Sequence, residues 1–298
     1  MRKCAVGLPR WASVGIALLV ILGSGLAWAQ ERVCPDGNKA YFGVCPEPSQ
    51  PQPLPQPQPA PSTPSVSTPP SAQPRRALVI GNAAYADRPL ANPVNDATGL
   101  AAALRRLGFD VTLHRDADKL TMERAIEAFT QGASRGSAGL FFFAGHGVQI
   151  EGANYLIPIG AVFSAPVDVK NRAVSADWVL GRMEDSRMDV KLLILDACRT
   201  NPLGRSWNRG GSDGLVAMDA TKGSFIAYST GPGKTAADGD GTSRNSPYTA
   251  QLLRELAVPG RSIHDVFEAV RAGVLATTQG KQLPWEATAL IGKFYFAR

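Results

Sequence analysis

The chain has 298 residues, 44% of them hydrophobic and 19% charged, with 30 Gly, 23 Pro and four Cys. That is the balance of a globular protein carrying one aberrant segment, with room for one large domain or two small ones, and it excludes a collagen, a coiled coil and a multispan membrane protein. The formal charge of +6 is weak ground for nucleic-acid binding: without Arg2, Lys3 and Arg10 of the leader the count falls to 28 basic against 25 acidic residues, and no basic run is interleaved with aromatics.

Residues 1–29 read as an export signal, with a basic start, an apolar run from Val14 to Leu22 extended by Gly23 to Leu26, and Ala27-Trp28-Ala29 as the small-x-small site before Gln30. The expected compartment is periplasmic or extracellular. The alternative is a membrane anchor through residues 11–29, although the apolar run is shorter than the roughly 20 residues a span needs. Residues 30–45 form a short segment in which Cys34 and Cys45 bracket a turn-forming Pro-Asp-Gly-Asn-Lys. An oxidising compartment allows these two to pair, and Cys198 then stays a free thiol. Twelve of the 23 prolines fall in residues 46–74, alternating with Gln, Ser, Thr and Ala, the composition of an extended tether. The folded domain is expected over 75–298, long enough for one core.

Within it, Ala77-Leu-Val-Ile-Gly81 reads as a buried strand, followed by a helix with Val94, Ala97, Leu100, Ala101, Leu104 and Leu107 on one face and Gly108 as its stop. Phe109 to His114 is a second strand, Thr121 is expected to cap a helix through Met122, Ile126 and Phe129, and Leu140 to Phe143 is a third, fully buried strand. Ser175 caps a helix through Trp178, Val179 and Met183 ahead of a fourth strand, Lys191 to Leu195. Ser224 to Tyr228 is a fifth strand, Ser246-Pro247 starts a helix with Pro in its favoured first position, and Ser262 with Asp265 makes a capping-box start to the last helix. Continuous apolar strands alternating with amphipathic helices predict an α/β domain with a mainly parallel central sheet flanked by helices. In such sheets reactive groups collect beyond the carboxyl ends of the strands.

There the third strand runs into Ala144-Gly-His-Gly147 and the fourth into Asp196-Ala-Cys-Arg199. If the two strands are neighbours, His146 and Cys198 meet at one edge, the arrangement of a thiol nucleophile with an imidazole base. Glycines on both sides of His146 let backbone and substrate approach, and the amides of Gly147 and Cys198 are the candidate oxyanion donors.

Arg76-Ala-Leu-Val-Ile-Gly-Asn82, Val94-Asn-Asp-Ala97, Phe143-Ala-Gly-His-Gly147, Asp196-Ala-Cys-Arg199 and Ala227-Tyr-Ser-Thr-Gly-Pro-Gly233, in that order and spacing, resemble the caspase and metacaspase family of cysteine peptidases over about residues 75–298. The resemblance implies the caspase-hemoglobinase fold, with His146 and Cys198 as the catalytic dyad and cleavage through a thioester acyl-enzyme. Where animal caspases hold an aspartate with two arginines and a glutamine, the matching positions here are Leu90, Asp238 and Asp196. Asp96 and Asp196 match metacaspase acids that bind Arg or Lys. The implied substrates are proteins or peptides with Arg or Lys before the scissile bond, recognised by Asp96, Asp196 and Asp238, because a guanidinium gains charge-assisted hydrogen bonds there and an aspartate is repelled. Departures from the pattern are Ala144, where many metacaspases carry Ser, and Val174-Ser-Ala-Asp177, which lacks the paired aspartates of calcium activation. Arg199, Arg205 and Arg209 lie in a Gly-rich stretch open to self-cleavage or simply exposed.

Other motifs lead nowhere. Gly233-Lys234-Thr235 lacks the first Gly of a phosphate loop, the run from Asp238 to Gly241 lacks the later ligands of a calcium loop, and His114 and His264 have no Cys or His at metal-ligand spacing. No cofactor, metal or nucleic acid is therefore expected, and nothing indicates an oligomeric state. The expected function is an exported cysteine endopeptidase cleaving after Arg or Lys. A non-catalytic binding or scaffold module on the same fold is the alternative, and an acyl transferase using the same thioester is a third.

Overall fold

The computed structural model describes residues 34, 37, 73–197, 214–239 and 243–298. The leader 1–29, Cys45, the tether up to residue 72, Cys198, Arg199, Arg205, Arg209 and Asp240 fall outside the described residues. The chain divides into two units, residues 1–67 and 68–298. In the first, Cys34 is disulfide-bonded, and its carbonyl accepts the Gly37 amide at 3.0 Å to close a turn.

In the second unit β1 (Arg75–Gly81) leads through α1 (Pro93–Arg106) to β2 (Asp110–Arg115), and α2 (Lys119–Gln131) leads to β3 (Ser137–Gly145). A hairpin of β4 (Gly147–Ile150) and β5 (Ala153–Leu156) follows, then α3 (Pro166–Arg172), the two-residue β6 (Val174–Ser175), α4 (Ala176–Glu184) and β7 (Met188–Ala197). The remainder is β8 (Ser224–Tyr228), α5 (Pro247–Glu255), α6 (Ile263–Thr277) and β9 (Trp285–Thr288).

The main sheet has the order β2-β1-β3-β7-β8-β9, and β4-β5-β6 form a smaller one. All pairings from β2 to β8 are parallel, while β9 closes the edge antiparallel to β8. Its central strands are apolar on both faces, as helices on either side require. Successive side chains of a strand point to opposite faces, which splits the core in two. Val79, Phe142, Ile194 and Ala227 pack with Leu100 and Leu104 of α1, Leu252 of α5 and Val270 of α6. Ile80, Phe143, Leu195 and Tyr228 pack on the other face with Met122 and Ile126 of α2 and Val179 and Met183 of α4.

Several local expectations hold. Ser175, Ser246 and Ser262 are N-caps, each accepting a backbone amide three residues on, and Asp265 completes the capping box. One cap differs: Asp118, not Thr121, caps α2, and its carboxylate accepts the Thr121 amide at 2.8 Å. A carboxylate on a short side chain reaches the third amide of the helix, so Thr121 sits inside the first turn. The smaller sheet, α3 and β9 were not anticipated. Strands of two to four residues carry too little periodicity to be read, and only Trp285, stacked 5.7 Å from Tyr228, was expected at this edge.

Gly81 has a tight packing role at the end of β1. A Cβ there would lie 2.3 Å from the Pro93 carbonyl oxygen and 2.6 Å from the Ala97 Cβ, so the N-terminal turn of α1 sits directly on the strand. Gly81→Ala is expected to destabilise the domain by roughly 1–3 kcal/mol, measured by denaturant unfolding. The carboxyl groups of Asp118, Asp168 and Asp265 are held below their usual range by hydrogen bonds from Thr121, from the Ser164 and Ala165 amides, and from Ser262, respectively. Their contribution is present above about pH 4 and is lost as pH falls through the lowered values. Urea unfolding at pH 3 against pH 7 should show a lower midpoint in acid, and the difference should shrink in Asp265→Asn.

Candidate active site

His146 follows the last residue of β3 and begins the turn into β4. Its amide donates to Tyr85 Oη at 3.0 Å and its carbonyl accepts from the Ile157 amide at 3.0 Å. Tyr85 Oη in turn donates to the Ile157 carbonyl at 2.9 Å, and the Tyr85 ring lies 4.4 Å from the imidazole. A Cβ on Gly145 would stand 2.6 Å from Tyr85 Oη, so this packing demands glycine there. The backbone of His146 is thereby fixed from both sides.

The ring is fixed as well. Nε2 lies 2.8 Å from the carbonyl oxygen of Arg88, and a carbonyl only accepts, so Nε2 carries the hydrogen and Nδ1 is the basic nitrogen. Arg88 holds φ at 59°, a left-handed conformation that is uncommon for a side chain of this size and costs of order 1–2 kcal/mol. That strained residue, just before Pro89, is what turns the carbonyl toward the imidazole.

Cys198 lies outside the described residues, but its chain neighbour Ala197 pairs with Gly145 across the parallel β3–β7 ladder. Positions 146 and 198 therefore each follow one member of a register pair. The sequence left that adjacency as a condition, and the strand order β1-β3-β7 meets it. Because the Ile157 amide donates to the His146 carbonyl, Gly147 and Leu156 form a non-hydrogen-bonded antiparallel pair. The Gly147 amide accordingly points away from β5, and its Cα faces Ala197 and Leu215.

The acids lie on the face covered by α1, α5 and α6. Asp196, in β7, is fully buried, and its Oδ2 accepts the hydroxyls of Ser246 and of Thr249, the latter at 2.9 Å. Asp96, in the first turn of α1, is also fully buried, and its Oδ1 accepts the Asn245 side-chain amide at 2.9 Å and the Ser246 backbone amide at 3.0 Å. Ser246 thus serves both carboxylates while its oxygen caps α5 through the Thr249 amide at 3.0 Å. Asp238 is half-buried and anchored at the start of α1: its Oδ2 accepts the Ala91 amide at 2.6 Å and its carbonyl accepts the Asn92 side chain. Leu90 packs with Tyr85 and Val148 in a separate small cluster.

Gln282 was not singled out by its sequence context. It is buried, donates to the Ser229 carbonyl at 2.7 Å and accepts the Ala237 amide at 3.1 Å. It thereby clamps both ends of the segment that carries Asp238. Beside it, a cavity of about 890 Å3 lies between residues 235–239, Asn245, Gln251 and Gln282. Among the described residues no cluster of three or more His, Cys, Asp or Glu is arranged to hold a metal ion, and no helix is long and apolar enough to cross a membrane.

Two substitutions test this arrangement. Ser246→Ala removes a cap and a hydrogen bond to a buried carboxylate and should cost about 2 kcal/mol in denaturant unfolding. The Tyr248 hydroxyl is buried with no hydrogen-bond partner among the described residues, and burial, followed by the charges of Asp196 and Glu286, pushes the phenol well above its usual range. Removing a buried hydroxyl that has no partner restores nothing to water, so Tyr248→Phe should unfold at the same midpoint or higher.

A family model described as the caspase domain matches residues 74–295. The human mucosa-associated lymphoid tissue lymphoma translocation protein 1 is 30% identical over 131 residues, 44% of this chain and 16% of that protein. The mouse homolog is equally similar over 131 residues, 15% of its length.

Proposed function

Because the chain belongs to the caspase-domain family, we propose that it is a cysteine endopeptidase that cleaves protein or peptide chains after Arg or Lys. The observation that carries this is the pair of fully buried carboxylates, Asp96 and Asp196, brought from separate segments onto one serine, two residues before Cys198 in the case of Asp196. A guanidinium or ammonium entering that site gains charge-assisted hydrogen bonds in a low-dielectric environment, whereas a carboxylate meets like charge. Asp238, anchored beside Asn92, supplies a third acid.

In this proposal His146 Nδ1 takes the proton of the Cys198 thiol, and the sulfur attacks the carbonyl carbon after the basic residue. The carbonyl becomes an oxyanion facing the amides of Gly147 and Cys198. His146 returns the proton to the leaving nitrogen as the C–N bond breaks, leaving a thioester. Water, deprotonated by the same imidazole, attacks the thioester, and the thiol regains its proton as the acid product departs. The Nε2–H···O bond to Arg88 keeps the basic nitrogen in place throughout and stabilises the imidazolium when it forms. The chemistry needs no metal or cofactor.

We propose in addition that the enzyme is exported. The basic and apolar leader supports this, as does the disulfide at Cys34, since such bonds persist in oxidising compartments. The mature protein recovered from its host should then begin at Gln30, and an intact leader on the active protein would contradict export by cleavage.

The activity test is the full chain against matched fluorogenic peptides ending in Arg, Lys or Asp, beside Cys198→Ala and His146→Ala. The expected result is cleavage after Arg and Lys but not Asp, abolished in Cys198→Ala and reduced about 10²–10⁴-fold in His146→Ala. Asp196→Asn should lower kcat/KM on basic peptides by at least tenfold. Cleavage after Asp overturns the acidic pocket while sparing the dyad. Folded protein inert on every peptide favours the scaffold alternative.

A further inference from the structure

Resting on the proposal of cleavage after basic residues, we propose that Ser229 is a specificity-determining residue: its hydroxyl completes the acidic site so that it selects a guanidinium over a primary ammonium. Ser229 follows β8, and its amide donates to the Leu195 carbonyl at 3.0 Å, which carries the β7–β8 ladder one step beyond the Leu195–Tyr228 pair. Asp196 and Ser229 are therefore neighbours across the sheet. Strand alternation sets both on the same face, because Ile194 and Ala227, two positions earlier, pack together with α1, α5 and α6. The row along the carboxyl edge on this face reads Gly81, Ala144, Asp196, Ser229, with the two small residues on one side of the carboxylate and the hydroxyl on the other.

The main chain of Ser229 is satisfied: its amide bonds to Leu195 and its carbonyl to Gln282. Its side chain is not. Ser229 is fully buried, and its Oγ has no hydrogen-bond partner among the described residues. A hydroxyl withdrawn from water without a partner is a standing cost, and here it stands beside a buried carboxylate that accepts donors from α5. Tyr248 carries another buried, unpartnered hydroxyl, but its ring packs among the apolar residues of the core, whereas Ser229 lies on the strand edge next to Asp196.

The chemistry that Ser229 fits is a planar cation with more donors than the carboxylates alone engage. A guanidinium presents five N–H groups in a rigid fork, and an ammonium presents three on one atom. Adjacent strands are about 4.8 Å apart, a separation that the two edges of a guanidinium bridge and a single ammonium nitrogen does not. Bound arginine would bond to Asp196 with one edge and to Ser229 Oγ with another, and bound lysine would leave the hydroxyl idle.

The test measures kcat/KM on paired Arg and Lys peptides for the full chain and for Ser229→Ala. It adds calorimetric binding of butylguanidinium and of pentylammonium to Cys198→Ala with and without Ser229→Ala, which reads recognition without turnover. The wild-type protein should prefer Arg, and Ser229→Ala should lower the Arg-to-Lys ratio about tenfold, chiefly through Arg. The butylguanidinium affinity should fall while the pentylammonium affinity stays unchanged. Since the hydroxyl has no partner in the free protein, Ser229→Ala should not lower the unfolding temperature. An unchanged ratio in an active Ser229→Ala variant overturns this proposal and leaves cleavage after basic residues standing. A marked loss of thermal stability also overturns it, because the hydroxyl would then have a structural role. Wild-type protein that cleaves after neither Arg nor Lys overturns both.

Discussion

Two carboxylates buried within hydrogen-bonding reach of one serine set the terms for this edge of the molecule. Like charges about 4 Å apart repel by about 4 kcal/mol at the effective dielectric of a protein, so Asp96 and Asp196 persist together only where donors surround them. Ser246 gives its amide to one and its hydroxyl to the other, and Asn245 and Thr249 add further donors. All three sit at or beside the start of α5, where unsatisfied amides and the helix dipole favour negative charge. Asp96 is likewise in the first turn of α1. The fold thus uses two helix starts to keep two acids ionisable inside a protein, and the close fit of α1 on Gly81 fixes where one of those starts lies.

The sheet separates the two tasks of the site. Its carboxyl edge brings positions 146 and 198 onto neighbouring strands, while the alternation of side chains sends Asp196 to the face beneath α5. Bond cleavage is thereby assigned to the ends of β3 and β7, and recognition to one face of the same strands. Elements outside the main sheet hold the pieces in register: the β4–β5 hairpin and Tyr85 secure His146, and Gln282 ties the loop after β8 at Ser229 and Ala237.

What was legible in the sequence follows from how local each signal is. The strands around Val79, Phe142, Ile194 and Ile226 were readable because a parallel sheet covered on both faces demands unbroken apolar runs, and the serine caps because each acts within three residues. The short strands of the hairpin and β9 carry no such period. At α2 two polar residues competed for the cap, and the side chain that reaches the third amide prevailed. Asp96, Asp196 and Asp238 were legible as candidates only through the ordered motifs around them. That Ser246 joins two of them, that Gln282 clamps the loop and that Arg88 faces the histidine are contacts across 50 to 150 residues of chain, which no local pattern encodes.

The partner of the imidazole is a main-chain carbonyl, and what holds it there is the left-handed turn at Arg88. Selection at this position therefore acts on a torsion angle and only secondarily on a letter. Related chains are free to exchange the arginine for asparagine or glycine and keep the acceptor, while a β-branched residue would forfeit it despite leaving every recognisable motif intact. Part of what orients the histidine is thus inherited as a backbone shape, in a stretch whose amino acids need not resemble one another.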